Sequence, residues 1–95
     1  MILIGIDPGT ATTGFGVVDK QGDRVRYVDC GTFETPAGMD APARLKMIYD
    51  DFAGLLEKYQ PASVATERLF FTNNVTTGIP VGRALGVILL ALAQR

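Results

Sequence analysis

Ile2-Leu3-Ile4-Gly5-Ile6-Asp7-Pro8-Gly9-Thr10 decides how the rest of the chain is read. The run from Ile2 to Ile6 has no polar break, as expected of a strand covered on both faces. Asp7-Pro8-Gly9-Thr10 ends it with turn chemistry. The run has no basic flank and passes directly into Asp7, so it reads as a buried strand and not as a secretion signal. Asp7 therefore stands at a strand end, where the sites of open α/β sheets collect. The plain alternative is an Asp that only caps its own turn.

Working outward, Thr13 to Asp19 is a second strand candidate, carried by Phe15, Val17 and Val18, with Gly14 and Gly16 keeping one face flat. After a turn at Lys20-Gln21-Gly22-Asp23, Val25 to Phe33 is a third. Alternation there puts Val25, Tyr27 and Asp29 on one face. Short turns between three strands predict an antiparallel meander. Asp40 fits the N-cap of a helix with Pro42 in its first turn. Leu45, Ile48, Phe52, Leu55, Leu56 and Tyr59 form one stripe of that helix, and Pro61 stops it. Ser63 to Glu67 is a short fourth strand, expected to run parallel to the strand it joins because a helical crossover precedes it. Val75 to Gln94 reads as a helix with Leu85, Ile88, Leu89 and Leu92 facing inward. Pro80 should kink this helix or delay its start, and Gly78, Gly82 and Gly86 thin one of its faces.

The order is β-β-β-α-β-α, with residues 1–95 read as a single α/β domain whose last helix stops without a cap signal, as a truncated end would. The chain has 95 residues, 47% of them hydrophobic and 20% charged, which suits a globular domain with a modest core. The tract Val87 to Ala93 is too short to span a membrane, and a cytoplasmic location is expected. The net charge of −1 argues mildly against a self-sufficient DNA binder, which is usually basic. The sequence has no histidine and one cysteine, Cys30, expected as a small apolar filler. A Cys/His zinc site is therefore excluded. Any metal must take oxygen ligands, which suits Mg²⁺ or Mn²⁺.

Glu67 ends the fourth strand as Asp7 ends the first. If those strands are parallel neighbours, the two carboxylates emerge side by side and a divalent cation between them would relieve their repulsion. The alternative is an exposed Glu opening a loop, or one paired with Arg68. Gly9, Thr10, Thr12, Thr13 and Gly14 form a Gly/Thr-rich turn whose amides could cradle a phosphate, or a tight hairpin that needs glycine for backbone reasons. Phe70 and Phe71 cannot both face a core from one strand, so one is a candidate for stacking on bases, with core or dimer packing as the alternative. Of Arg44, Lys46, Lys58, Arg68 and Arg83, Arg68 is the best phosphate contact because it neighbours Glu67.

Taken together, three blocks resemble a known family. Ile4 to Thr10 followed by Thr13 to Val18 is similar to the opening of the RuvC crossover-junction endonucleases. Arg44 to Tyr49 resembles the start of their first helix. Pro61 to Phe71, with Asn73-Asn74 after it and Val81 to Val87 beyond, resembles their second acidic strand, loop and next helix. The resemblance implies a ribonuclease-H-like fold and a homodimer that cuts Holliday-junction DNA with Mg²⁺, with Mn²⁺ as a substitute, alongside the RuvAB branch-migration complex. It maps Asp7 and Glu67 onto catalytic, metal-holding carboxylates and Phe70 onto an aromatic that inserts into the junction. Arg68, Thr10 and Thr13 complete the expected DNA contacts. Family members continue past this point and add further acidic ligands. Three other readings stay open: an ATP-binding domain of the actin/hexokinase type, a related nuclease acting on RNA, and a dimerisation fragment with no turnover.

Overall fold

A computed structural model describes residues 1–9, 11–66 and 75–95, with the side chains of 75–78 outside that description. Its elements are β1 (Ile2–Asp7), β2 (Thr12–Gln21), β3 (Arg24–Glu34), α1 (Ala41–Tyr59), β4 (Ser63–Thr66) and α2 (Val75–Ala93). The strands form one sheet in the order β3-β2-β1-β4. β1 pairs antiparallel with β2 and parallel with β4, while β2 pairs antiparallel with β3. The expected meander with an added parallel strand is what the chain forms.

One face of this sheet builds the core. Ile4 and Ile6 of β1 and Val17 of β2 pack with Ile48, Phe52, Leu55 and Leu56 of α1 and with Ala84, Ile88 and Ala91 of α2. Phe52 has no exposed surface, and a side chain of that size contributes about 1.5–3 kcal/mol by leaving water. The stripe read from α1 is thus the buried one. Its start is set by Asp40, whose carboxylate accepts from the amide of Ala43 at 3.1 Å. Its end is set by Gln60 in the left-handed region, whose amide donates to the Leu56 carbonyl at 2.8 Å.

Three expectations need correction. α2 buries its small residues Ala84 and Ala91 on either side of Ile88, whereas Leu89 is 51% exposed. Small side chains let α2 lie close to α1, so the leucines turn partly outward. Of the two effects expected of Pro80, a delayed start is not seen, since α2 begins at Val75. In β3, a register shift between Val17 and Val18 breaks the alternation. Val18 pairs with Tyr27 but Val17 pairs with Asp29, so Tyr27 and Asp29 fall on opposite faces. Tyr27 is exposed beside Cys30, 3.7 Å from oxygen to sulfur, while Asp29 turns toward α1 and accepts from the Tyr59 hydroxyl at 2.5 Å. Cys30 is itself exposed and is no core filler.

Candidate active site

The other face of the sheet carries the site. Along β1, Ile4 and Ile6 point into the core, so Gly5 and Asp7 point away from it. The register places Gly16 opposite Gly5 and Gly14 opposite Asp7 on β2, and Ala65 opposite Gly5 on β4. Four small residues thus surround one carboxylate, and the result is a cavity of about 440 Å³ bordered by Gly5, Asp7, Gly14, Gly16, Ala65 and Thr66. A β-carbon added at Gly5 or Gly16 would meet nothing within 4 Å. The flat face read from Gly14 and Gly16 is real; Gly5 and Ala65 join it only once the register is known.

The turn after Asp7 is fixed by space. A β-carbon at Gly9 would sit 2.1 Å from the Thr12 carbonyl oxygen, so only glycine fits. Gly9 thereby lets the chain double back into β2 and bring Gly14 beside Asp7. This favours the backbone explanation of the Gly/Thr-rich turn. Thr35 anchors the far side through its amide, which donates to the Ala11 carbonyl at 3.0 Å.

Asp7 is exposed, and among the described residues no cation and no hydrogen-bond donor engages its carboxylate. Thr66 lies beside it: the β1–β4 register ends at Ile6 opposite Thr66, one residue before Asp7 on β1. Glu67 is the next residue in sequence. Glu67, Arg68, Phe70, Phe71 and Thr10 lie outside the described residues. Among the described residues no three acidic, Cys or His side chains gather around a common point.

Thr13 requires a correction. It is 1% exposed, and its hydroxyl has no hydrogen-bond partner among the described residues. It belongs to the same face of β2 as Val17, so it packs inward and is not placed to touch a DNA strand.

The donor chemistry suits a hard divalent ion. Asp7 offers carboxylate oxygen in an open cavity, and among the described residues no basic side chain borders that cavity to compete for it. The chain's only thiol is on β3 and is not among the residues bordering the cavity.

A family model described as crossover junction endodeoxyribonuclease RuvC matches residues 3–95. This chain belongs to the RuvC family. The RuvC protein of Chloroflexus aggregans is 52% identical over 94 residues, which are 99% of this chain and 57% of that one. The RuvC protein of Brevibacillus brevis is 52% identical over 91 residues, 96% of this chain and 55% of that one. The chain therefore spans little more than half the length of the RuvC relatives it matches. Among solved structures, T. thermophilus RuvC in complex with a Holliday junction substrate superposes with a TM-score of 0.90 at 30% identity, over 99% of this chain and 60% of that one. The fold is ribonuclease-H-like, as the resemblance implied. A weaker likeness to the Aquifex aeolicus PPX-GPPA enzyme, with a TM-score of 0.52 at 12% identity, is one of fold alone. The match to RuvC over nearly the whole chain leaves the actin/hexokinase-type ATP-binding alternative without support.

Proposed function

We propose that this chain is the amino-terminal part of an endonuclease that resolves four-way DNA junctions by phosphodiester hydrolysis, with Asp7 and Glu67 as the carboxylates that hold its metal. The observation that carries this reading is the place of Asp7. It stands unpaired among the described residues, at the mouth of a glycine-floored cavity, beside a parallel strand that leads in sequence to Glu67. The solved T. thermophilus relative is bound to a Holliday junction, which supports the same substrate here.

A divalent ion, Mg²⁺ by preference, would activate water for attack on the phosphodiester and stabilise the leaving oxygen. This chain's own part is to fix the carboxylates and to keep the floor low. Gly5, Gly14 and Gly16 let a sugar-phosphate backbone approach β1 and β2 closely, as side chains there would not. Phe70 stacks on junction bases, and Arg68 and Thr10 contact phosphates. No protein nucleophile is needed, since the attacking group is water.

A homodimer is part of this reading, and α2 supports it. Ile79, Leu89 and Leu90 are 47%, 51% and 53% exposed, an apolar face that a second copy of the chain would cover. Two-fold symmetry of the protein then matches that of the junction, and paired cuts result. The enzyme works in the cytoplasm alongside the RuvAB branch-migration complex. No helix among the described residues is long and apolar enough to cross a membrane.

The test uses the full-length protein. Asp7→Asn and Glu67→Gln should each abolish junction cleavage while leaving junction binding intact. A variant that cuts at the wild-type rate removes that residue from the reaction.

A further inference from the structure

We infer that Arg24 and Arg26 form a phosphate-binding site at the far end of the sheet from Asp7, where they hold the sugar-phosphate backbone of a junction arm. The inference rests on the junction-cutting reading above and adds to it a contact remote from the cleavage centre.

Where β2 turns into β3, the register sets Asp19 opposite Arg26 and Gln21 opposite Arg24. Alternate residues of a strand share a face, so all four side chains project to one side. They border a cavity of about 390 Å³. Arg24 is exposed, and no carboxylate among the described residues pairs with it. The Arg26 guanidinium stands 3.6 Å from Asp19, a long and exposed contact of the kind that contributes little. Asp19 has closer partners: its Oδ1 accepts from the Met1 amino group at 2.8 Å and from Gln21 Nε2 at 3.0 Å. Lysines elsewhere are engaged locally. Lys46 pairs with Asp50 at 2.6 Å, and the Lys58 ammonium lies 5.1 Å from the centre of the Tyr59 ring.

A chain of net charge −1 can hold a polyanion only where its cations are concentrated. Lys20, Arg24, Arg26 and the Met1 amino group outnumber Asp19 and Asp23 at this end of the sheet. Residues two apart on a strand lie about 6.5–7 Å from each other, close to the separation of successive phosphates along a nucleic-acid strand. Guanidinium forks match phosphate oxygens in a bidentate manner, so the pair suits two neighbouring phosphates of one strand. Gly14, which faces Asp7, and Gln21 stand toward opposite ends of β2, which puts the cavity about 20 Å from Asp7 along the strand. That is the length of about six base pairs of duplex. β3 is an edge strand among the described residues, so an arm leaving the cleavage centre can run alongside it to the arginines. Asp29, part-way along β3, is turned toward α1, where it accepts from the Tyr59 hydroxyl.

The experiment measures affinity of the full-length protein for two labelled four-way junctions across a salt series. One has arms of about 15 base pairs, and in the other hairpin loops close the arms after about four, short of the arginines at 3.4 Å per base pair. The proteins are wild type, the double variant Arg24→Gln/Arg26→Gln, its counterpart Arg24→Lys/Arg26→Lys, and Lys46→Gln as a charge change on α1. The glutamine pair should weaken binding to the long-armed junction roughly tenfold at moderate salt and lower the slope of log Kd against log salt by about 2. On the short-armed junction it should match wild type. The lysine pair should keep the slope and lose part of the affinity, and Lys46→Gln should change neither. Cleavage by the glutamine pair under saturating enzyme should match wild type, because the arginines hold DNA far from the reacting atoms. Wild-type affinity and slope in a folded glutamine pair, or an equal loss on both junctions, would overturn the arm contact and leave the junction reading standing. A wild-type protein that binds linear duplex as tightly as either junction and cuts neither would overturn the junction reading. The slope on that duplex, lowered by about 2 in the glutamine pair, would then still report the arginine contact.

Discussion

Gly9→Ala offers the sharpest structural prediction, because it adds a single methyl where the turn after Asp7 has no room. The new β-carbon would lie 2.1 Å from the Thr12 carbonyl oxygen, more than an ångström inside a van der Waals contact. Both groups belong to the backbone of a turn, so neither rotates away. The turn must open, and the Asp7–Gly14 pairing beside it must loosen. Overpacking of this kind costs about 1–3 kcal/mol, and we place Gly9→Ala at the upper end, about 3 kcal/mol, because backbone cannot repack. With a urea dependence of roughly 1–1.5 kcal/mol per molar for a chain of this size, the unfolding midpoint should fall by about 2–3 M. Gly16→Ala is the control. Its β-carbon meets nothing within 4 Å, and the loss of unfolded-chain freedom should leave stability unchanged or raise it by about 0.4–1 kcal/mol. Urea unfolding followed by circular dichroism reads both. If Gly9→Ala unfolds at the wild-type midpoint, the steric account of this turn is wrong.

Other outcomes follow from the same packing. Phe52→Ala empties a fully buried site between sheet and helices and should cost about 3–5 kcal/mol, read as a large drop in the unfolding midpoint. The hydrogen bond from Tyr59 holds the Asp29 carboxyl below its ordinary value, with the Cys30 amide and Lys58 adding to the effect. A depressed carboxyl contributes stability that is present above its unfolded value and is lost as pH falls through the folded one. Tyr59→Phe should therefore raise the Asp29 titration midpoint, measured by carbon NMR, and flatten the acid limb of the stability curve below about pH 4. An unmoved Asp29 midpoint would mean the bond contributes nothing in solution.

How much of this was legible in the sequence depended on whether one element or two had to be known. The β1 run and the α1 stripe are single-element patterns, and both were readable: Ile4, Ile6, Ile48, Phe52, Leu55 and Leu56 are core residues. So was the parallel crossover that lays β4 beside β1. Features that depend on a neighbour were not. The bulge that separates Tyr27 from Asp29 arises in the pairing of β2 with β3 and leaves no mark in β3 alone. The inward face of α2 is chosen by how closely α1 lies, which favoured Ala84 and Ala91 over Leu89. Thr13 looked like part of an exposed phosphate cradle, yet β2 begins one residue earlier and turns its side chain inward. The site was legible at Asp7, where a strand end and a turn coincide. Its glycine floor was legible only in part, since Gly5 and Ala65 join Gly14 and Gly16 through register.

The measurement that goes straight to the metal is a Mn²⁺ titration of the nitrogen-15-labelled full-length protein, with broadening of amide signals as the readout. Signals from Gly5 to Asp7, Gly14 to Gly16, and Ala65 to Thr66 should broaden first in wild type, and the effect should vanish in both Asp7→Asn and Glu67→Gln. Broadening centred on any other acidic group, or persisting at β1 in either variant, would contradict a cation shared by those two carboxylates.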